Sequence, residues 1–296
     1  MAKPLFRGAA VALVTPFTNG KVDFEALRKL TRMQLEAGTA VIVVCGTTGE
    51  PATMTKEEKV QVIREVVAEV NGRIPVICGT GSNCTASVVE TEKLYRDLGC
   101  DAQLVVTPYY NKTTQEGLYA HFMHIAENTE LPIILYNVPS RTALDLGPAT
   151  LARLAECDRF IGLKESSNDL SLVMEKMAVI DGRMALYSGN DDLVYNLLTL
   201  KGDGVISVVS NILPGAMNRI CESFFAGDYE SSLQEQVRIL PLVRALFSEV
   251  SPIPVKYAVE QLGLCSGEVR LPLIPAGEKT REMLMKAMAE LGMLKA

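Results

Sequence analysis

The most regular feature of the chain is a series of eight short apolar runs rich in valine and isoleucine. AVIVVCGTTGE at 40–50 and FIGLKESS at 160–167 are typical examples. Apolar residues are nearly continuous within each run, which predicts strands that are buried on both faces. The eight runs cover residues 9–17, 40–50, 74–83, 102–111, 131–141, 160–167, 184–191 and 204–211.

Amphipathic stretches lie between the apolar runs and predict helices. Clear examples cover residues 24–38, 55–72 and 85–99. The first of these ends at Gly38 and the third at Gly99, and glycine is the residue typical of a helix end. In the second, Thr55 is followed three residues later by Glu58, which predicts a capping box at the start of the helix.

Strand and helix patterns alternate about eight times, which predicts an α/β protein with a (β/α)8 TIM barrel. A doubly wound open sheet is the alternative, because the sequence alone does not show closure. From about Pro214 onward the strand patterns stop, and residues 233–250, 252–263 and 277–294 have helical patterns. We therefore predict a barrel domain at residues 1–226 and a small C-terminal helical domain at residues 227–296.

Composition narrows the classes of function. The formal net charge of −6 disfavours non-specific nucleic-acid binding, which needs a basic surface. No apolar run reaches the length of a membrane span, and none resembles a signal peptide. The seven cysteines are an odd number without a C-x-x-C pair, so we expect reduced, mostly buried thiols. These features indicate a cytoplasmic protein with neither nucleic acid nor membrane as a partner.

Three apparent ligand motifs carry little weight. GTGSN at 79–83 lacks the last glycine of a dinucleotide fingerprint, and GTTGEPAT at 46–53 lacks the GK[ST] of a phosphate loop. His121 and His124 lie three residues apart on a predicted helix, but no carboxylate motif accompanies them. We expect exposed or capping roles for both histidines, and we predict no metal site.

Polar residues follow one predicted strand after another. The apolar run at 160–163 ends at Lys164, in the sequence RFIGLKESSND. A lysine in this position can simply reach water along its flexible side chain. In a (β/α)8 barrel, however, the carboxyl ends of the strands meet at one mouth, where catalytic residues lie. We expect Lys164 to share this mouth with Thr47, Thr48, Tyr110, Tyr136 and Arg141.

This set of residue types suits imine chemistry. A neutral lysine amine can attack a keto acid and form an imine, which then yields an enamine that attacks an aldehyde. Tyrosine and threonine hydroxyls can relay the protons, and an arginine can bind a carboxylate through two hydrogen bonds. The sequence therefore indicates a lysine-dependent aldolase-type enzyme.

The ordered motifs GTTGE, TPYYNK, YNVPSRT, GLKESS and SGND resemble the dihydrodipicolinate synthase family, within the pyruvate-dependent class I aldolases. The resemblance extends over nearly the whole chain. It implies a lyase that condenses pyruvate with L-aspartate 4-semialdehyde to 4-hydroxy-tetrahydrodipicolinate, the entry step of lysine and diaminopimelate synthesis. It also implies that no cofactor is needed beyond the covalent Schiff base with pyruvate.

The resemblance assigns catalytic roles. Lys164 would form the Schiff base, and Tyr136 would act as general acid and base. Thr47 and Tyr110 would complete a proton relay. Tyr110 is the second tyrosine of the motif TPYYNK, and family members place this tyrosine in the neighbouring subunit's site. The resemblance therefore implies an oligomer.

The resemblance also assigns substrate-binding roles. Thr48 and the backbone at Gly189 and Ile206 would hold the carboxylate of pyruvate, and Arg141 would bind the carboxylate of the semialdehyde. The family typically forms a homotetramer that is a dimer of dimers, with a helical C-terminal region.

One departure from the family concerns feedback by lysine. Asn83 and Tyr109 match the effector site of sensitive members, but Lys56 and Lys59 replace histidines and Ser87 replaces a glutamate. The lost carboxylate and the added ammonium groups disfavour a cationic ligand. We predict weak or absent inhibition by lysine.

Two other functions remain open at this point. One is another pyruvate-dependent aldolase, such as an N-acetylneuraminate or 2-keto-3-deoxygluconate lyase, although Arg141 favours a short carboxylate-bearing aldehyde. The other is a catalytically silent homologue that senses pyruvate or an amino acid. A silent protein is disfavoured because the catalytic set is retained together with the arginine: Lys164, Tyr136, Thr47, Tyr110 and Arg141.

Overall fold

The secondary structure was obtained from a computed structural model that describes residues 4–294. The strands are β1 (Gly8–Ala12), β2 (Phe17–Thr18), β3 (Lys21–Val22), β4 (Val41–Val44), β5 (Val76–Gly79), β6 (Ala102–Val106), β7 (Ile133–Asn137), β8 (Phe160–Glu165), β9 (Ala185–Ser188) and β10 (Gly204–Ser207). The helices are α1 (Phe24–Glu36), α2 (Lys56–Val70), α3 (Thr85–Asp97), α4 (Gln115–Asn128), α5 (Pro139–Thr142), α6 (Pro148–Leu154), α7 (Leu170–Ile180), α8 (Val194–Thr199), α9 (Pro214–Phe225), α10 (Tyr229–Leu246), α11 (Ile253–Gln261) and α12 (Glu278–Glu290).

Within residues 4–294, eight parallel strands close into a barrel in the order β1-β10-β9-β8-β7-β6-β5-β4. Closure is made where β4 pairs with β1, with Ala10 opposite Val41. The predicted (β/α)8 barrel is therefore confirmed, and the alternative of an open sheet is wrong. All eight predicted strands are present, although each is shorter than its apolar run.

The first apolar run differs most from its prediction. The strand β1 ends at Ala12, and the run continues into a separate antiparallel hairpin of β2 and β3. The N–H of Val14 donates to Asn211 Oδ1 at 3.0 Å instead of to a neighbouring strand, and Pro16 has no N–H to donate. The continuous barrel pairing is therefore lost before Phe17.

The helix ends follow the local signals in the sequence. The capping box is confirmed, because Glu58 N donates to Thr55 Oγ1 at 3.2 Å and Thr55 N donates to Glu58 Oε2 at 3.0 Å. Gly38 and Gly99 follow the ends of α1 and α3 with φ values of 76° and 91°. These left-handed conformations favour glycine because a Cβ would be crowded there.

The strands are buried on both faces. One apolar cluster fills the inside of the barrel, and two others pack the outer faces of the strands against the helices. Inside the barrel, the rings of Phe6 and Tyr187 stack with centroids 4.2 Å apart, and the Tyr187 hydroxyl donates to the Phe6 carbonyl at 3.0 Å. The barrel interior is therefore a packed core.

After β10, the described part of the chain is helical. Helix α9 packs on β1 and against α10, which in turn packs on α12. Val255 of α11 and Leu284 of α12 belong to the same apolar cluster as the outer faces of β1 and β4. The predicted division between residues 226 and 227 falls between α9 and α10 and stays a prediction.

Two further features of the described residues bear on the sequence analysis. No helix within residues 4–294 is long and apolar enough to cross a membrane. All seven cysteines are free, and four are buried, whereas Cys84 is exposed. Burial raises the pKa of the Cys45 thiol to about 12, so this thiol stays protonated at neutral pH.

Candidate active site

Lys164 lies near the carboxyl end of β8, opposite Tyr136 of β7 and Tyr187 of β9. It is only 7% exposed, so the interpretation that this lysine reaches bulk water is wrong. Its Nζ lies 4.2 Å from the centroid of the Tyr136 ring. The lysine amine is thus held against an aromatic face inside the barrel mouth.

A cavity of about 860 Å³ opens beside Lys164. The polar residues that line it include Thr47, Thr48, Tyr136, Arg141, Lys164 and Asp191. These residues come from the ends of several different strands, as in the catalytic mouths of (β/α)8 barrels. Five of the six were predicted to share the mouth, and the structure brings these five together.

The two threonines are placed by a tight turn after β4. Residues Thr47–Gly49 form one turn of 3₁₀ helix, and Cys45 and Glu50 on either side have φ values of 55° and 54°. The Thr15 hydroxyl donates to the Gly49 carbonyl at 2.7 Å, and this bond helps to hold the turn in place. Thr48 is buried and Thr47 is exposed, and both line the cavity.

Gly189 gives room to the lysine. A Cβ at this position would collide with Ser166 Oγ and lie 3.0 Å from Lys164 Cε. The Gly189 N–H donates to the Glu165 carbonyl at 2.7 Å, so this donor is already used within the protein. Ile206 belongs to the apolar cluster inside the barrel. The roles of the Gly189 and Ile206 backbones toward a carboxylate stay predictions.

Arg141 lies on α5, directly after β7, and its side chain reaches the cavity. Its Nη2 donates to the Ser251 carbonyl at 2.9 Å, across 110 positions in the sequence. The segment before α11 therefore helps to orient this guanidinium. The remaining guanidinium donors are available for a carboxylate in the cavity.

Tyr110 stands apart from this group. It is 92% exposed and has a φ value of 68°. It lines neither the cavity beside Lys164 nor the second cavity described below. Within one chain, the structure therefore does not bring Tyr110 to Lys164.

A second cavity of about 680 Å³ adjoins the first. Thr47, Tyr136 and Arg141 line both cavities. The lining of the second cavity also includes Lys56, Lys59, Ser87 and Tyr109. Asn83, the fifth residue of the predicted effector set, is outside this lining, and its carbonyl accepts a bond of 2.9 Å from Asn111 Nδ2.

Three charged residues near the site were not singled out from the sequence. Asp191 is 1% exposed, and its Oδ2 accepts from the N–H groups of Val208 and Val209 at 2.9 and 3.1 Å. Burial raises the pKa of Asp191, and this rise is opposed by hydrogen bonds from Ser207 and from the two N–H groups and, to a smaller extent, by nearby Lys164. Glu50 and Glu165 are also buried, and each faces a buried lysine. The only sequence signal for them is that each lies within or beside a site motif.

The two histidines differ from each other. His121 is buried, and its Nδ1 lies 2.9 Å from Thr85 Oγ1, so the expectation of an exposed or capping role is wrong for His121. His124 is exposed. Within residues 4–294, no group of three or more histidine, cysteine, aspartate or glutamate residues is arranged to hold a metal ion.

The fold and the site define a class. This chain is a (β/α)8 barrel with a buried lysine, a tyrosine, two threonines and an arginine at the carboxyl ends of its strands. The model of the dihydrodipicolinate synthetase family matches residues 5–291. The chain belongs to this family.

Similar proteins agree with this assignment. The 4-hydroxy-tetrahydrodipicolinate synthase of Thermoanaerobacter sp. (strain X514) is 46% identical over 293 residues, covering 99% of each chain. The enzyme of that name from Alkaliphilus oremlandii is 47% identical over 284 residues, covering 96% of this chain and 98% of the relative.

Solved structures give the same result. Dihydrodipicolinate synthase from Thermotoga maritima has a TM-score of 0.96 and 43% identity, with 98% of this chain and 100% of that chain covered. The chloride-inhibited dihydrodipicolinate synthase from Acinetobacter baumannii, complexed with pyruvate, has a TM-score of 0.95 and 45% identity at the same coverage.

Proposed function

We propose that this chain is an enzyme that condenses pyruvate with L-aspartate 4-semialdehyde to 4-hydroxy-tetrahydrodipicolinate. The observation that carries the proposal is the buried Lys164 amine, 4.2 Å from the Tyr136 ring centroid in a cavity of about 860 Å³. The synthase name of the relatives favours this reaction over a sugar-acid lyase. The product belongs to lysine and diaminopimelate biosynthesis.

The first half of the reaction uses Lys164 as the nucleophile. Its neutral amine attacks the C2 carbonyl of pyruvate, and loss of water leaves an imine. Removal of a proton from the methyl carbon then gives an enamine, because the protonated imine nitrogen accepts the electron pair. Tyr136 and Thr47 both line the cavity, so their hydroxyls can carry protons to and from the intermediates.

The second half joins the two substrates. The enamine carbon attacks the aldehyde of the semialdehyde and forms the new carbon–carbon bond. The amino group of the semialdehyde then attacks the imine carbon, which closes the ring and releases Lys164 as the free amine, so that the net loss is the one water from imine formation. Arg141 supplies the guanidinium for the semialdehyde carboxylate. The Thr48 hydroxyl would donate to the pyruvate carboxylate. The backbone at Gly189 and Ile206 stays a predicted contact, and the Gly189 N–H would have to leave the Glu165 carbonyl in order to donate. The chemistry needs no further cofactor and no metal ion.

The proposed active form is a homotetramer arranged as a dimer of dimers. Tyr110 is 92% exposed and lies outside the cavity of its own chain, which is the placement expected for a residue that completes a neighbour's site. Each Tyr110 would then extend the relay of Tyr136 and Thr47 in the partner. We also propose a cytoplasmic location.

Trapping the imine tests this proposal. Borohydride added with pyruvate should increase the intact mass by one pyruvate less one oxygen atom, whereas the Lys164→Ala variant should show no increase. Addition of the semialdehyde before borohydride should consume the adduct, and N-acetylneuraminate should not be cleaved. A wild-type protein without an adduct would support a silent sensor, and cleavage of the sugar acid would support a lyase.

A further inference from the structure

Directly behind the reactive pair lies a second matched pair of residues. Tyr136 stands opposite Lys164 across β7 and β8, and the next residues along, Asn137 and Glu165, also stand opposite each other. Successive side chains of a strand point to opposite faces. Tyr136 and Lys164 therefore point into the barrel mouth, and Asn137 and Glu165 point outward toward the helices.

Four polar side chains form a closed cluster on this outer face. Lys176 of α7 donates from Nζ to Glu165 Oε2 and to Asp145 Oδ1, both at 2.9 Å. Asn137 donates from Nδ2 to the same two carboxylates, at 2.9 Å to Glu165 Oε1 and 2.7 Å to Asp145 Oδ1. Each carboxylate thus binds both the ammonium and the amide.

The cluster is also bonded to the backbone that follows both strands. Glu165 Oε1 accepts from the N–H of Ser167 at 2.7 Å, and Asn137 Oδ1 accepts from the N–H of Leu146 at 2.9 Å. The side chains of Lys176 and Glu165 are both 0% exposed, and that of Asp145 is 32% exposed. The bonds among Lys176, Glu165 and Asn137 are therefore shielded from competing water, whereas the Asp145 carboxylate is partly open to it.

Burying these charges is costly, and apolar side chains of similar volume often hold a helix on a sheet equally well. What charged hydrogen bonds add is direction, because they hold only at short distances and narrow angles. In this cluster the bonds between Asn137 and Glu165 run from β7 to β8 and fix the position of one strand along the other. Any sliding of one strand past the other would break several of these bonds and would separate Tyr136 from Lys164.

We infer that Glu165, Lys176, Asn137 and Asp145 are positioning residues that hold the Lys164 amine and the Tyr136 ring in the relative placement that proton transfer requires. This inference rests on the proposed function. None of the four residues has to touch a substrate. Their effect should appear in the steps that use both Lys164 and Tyr136, and much less in the binding of pyruvate.

Two variants test the inference directly. Glu165→Gln keeps the shape of the side chain but removes its charge, and Lys176→Met removes the ammonium but keeps most of the volume. We expect each to lower kcat by about 10-fold or more, since small misplacements of reacting groups are costly, while the KM for pyruvate changes less than about 3-fold. The rate of borohydride trapping should fall with kcat.

Glu92→Gln is the matched control. Glu92 is likewise 0% exposed, and its Oε1 accepts from the N–H groups of Glu130 and Leu131, just before the start of β7. This variant removes an equally buried carboxylate that binds the chain at the amino end of β7, whereas Tyr136 lies near the carboxyl end of β7. It should lower Tm, as Glu165→Gln should, but kcat should stay within about 2-fold of wild type, because the reactive pair is undisturbed.

Asp145→Asn provides a milder variant if the buried substitutions prevent folding. Asp145 is partly exposed, so this chain should fold and show a fall in kcat of about 3-fold without a matching rise in KM. Unchanged kcat in every folded cluster variant, with a pyruvate adduct in wild type, would overturn this inference alone. An equal loss of kcat in Glu92→Gln would also overturn it. Absence of the wild-type adduct would overturn the proposed function and this inference with it.

Discussion

Lys256 and Glu50 form a salt bridge in which Lys256 Nζ lies 2.8 Å from Glu50 Oε1, and their side chains are only 0% and 2% exposed. Lys256 is on α11, whereas Glu50 directly follows the turn that carries Thr47 and Thr48. The second Glu50 oxygen accepts from the N–H of Arg270 at 3.1 Å. The C-terminal helices are therefore tied to the part of the barrel that forms the active-site wall.

Lys256→Met should destabilise the protein strongly. The substitution would leave the Glu50 carboxylate buried without a cation, which typically costs about 3–5 kcal/mol. Urea unfolding measures this loss in the free energy of unfolding. Lys286→Met is the control, because Lys286 has a side chain that is 79% exposed and should change stability by no more than about 0.5 kcal/mol. Equal unfolding midpoints for the two variants would contradict the prediction.

Tyr136→Phe should lower kcat by about 100-fold or more, because it removes a hydroxyl proposed to transfer protons in the reaction. Steady-state kinetics with both substrates measures the effect. Tyr187→Phe is the matched variant on β9, two strands away in the barrel, where the lost hydroxyl only donates to the Phe6 carbonyl. It should cost about 1–2 kcal/mol of stability with little change in kcat. A similar kcat in both variants would argue against a proton-transfer role for Tyr136.

Tyr110→Phe should lower activity without lowering stability, because the side chain is 92% exposed in the single chain. Mixing subunits tests which site Tyr110 serves. Tyr110→Phe and Lys164→Ala chains, co-expressed in equal amounts, should regain about a quarter of wild-type activity, since half of the dimers are mixed and each has one complete site. If Tyr110 serves its own chain, the mixture should show no more activity than the mean of its two parents.

L-Lysine at millimolar concentration should inhibit weakly or not at all. The ammonium groups of Lys56 and Lys59 line the second cavity and repel a cationic ligand, and Ser87 offers no carboxylate to it. A coupled assay at increasing lysine concentration measures the effect. The triple variant with Lys56→His, Lys59→His and Ser87→Glu should be more sensitive than wild type. Inhibition of wild type at sub-millimolar lysine would contradict the prediction.

The free energy of unfolding should fall in mild acid, and His121 should account for part of this fall. Burial lowers the pKa of His121 to about 4, with a smaller contribution from His124. An unfolded histidine has a pKa near 6.5, so the unfolded chain binds the extra proton first, and stability is lost as the pH falls from about 6.5 toward 4.

The loss attributable to His121 should reach about 2–3 kcal/mol at pH 4.5, as follows from a shift of this size. The free energy of unfolding at pH 7 and pH 4.5 should therefore differ less in His121→Gln than in wild type. His124→Gln is the control, because His124 is exposed. Equal acid sensitivity of wild type and His121→Gln would contradict this assignment.

Several parts of the site could be predicted because they depend on the order of residues along single strands. Lys164, Tyr136 and Arg141 each follow an apolar run, and parallel strands that close into a barrel bring their carboxyl ends together. The position of Tyr110 in a neighbour's site came only from the family resemblance. Nothing in the local pattern indicates which chain a surface tyrosine serves.

The buried ion pairs could not be predicted. Lys176 lies in an amphipathic helix and Lys256 follows a proline-rich segment, so both have the appearance of surface lysines in the sequence. Their burial depends on where the outer face of a strand meets a helix from another part of the chain. The bond from Arg141 to the Ser251 carbonyl is of the same kind, since 110 positions separate its partners.

By itself, the sequence determined the eight strands, the intervening helices, the capping box of Thr55 and Glu58, and the residues offered to the barrel mouth. These features follow from interactions over a few residues, such as hydrophobic periodicity and capping, which act in the same way wherever the segment lies. Only the tertiary structure decided that the sheet closes, that Lys164 is buried, and that Glu165 and Glu50 face buried lysines. These outcomes depend on contacts between distant segments, and desolvation, which gives buried charges their effect, exists only after those segments have packed together.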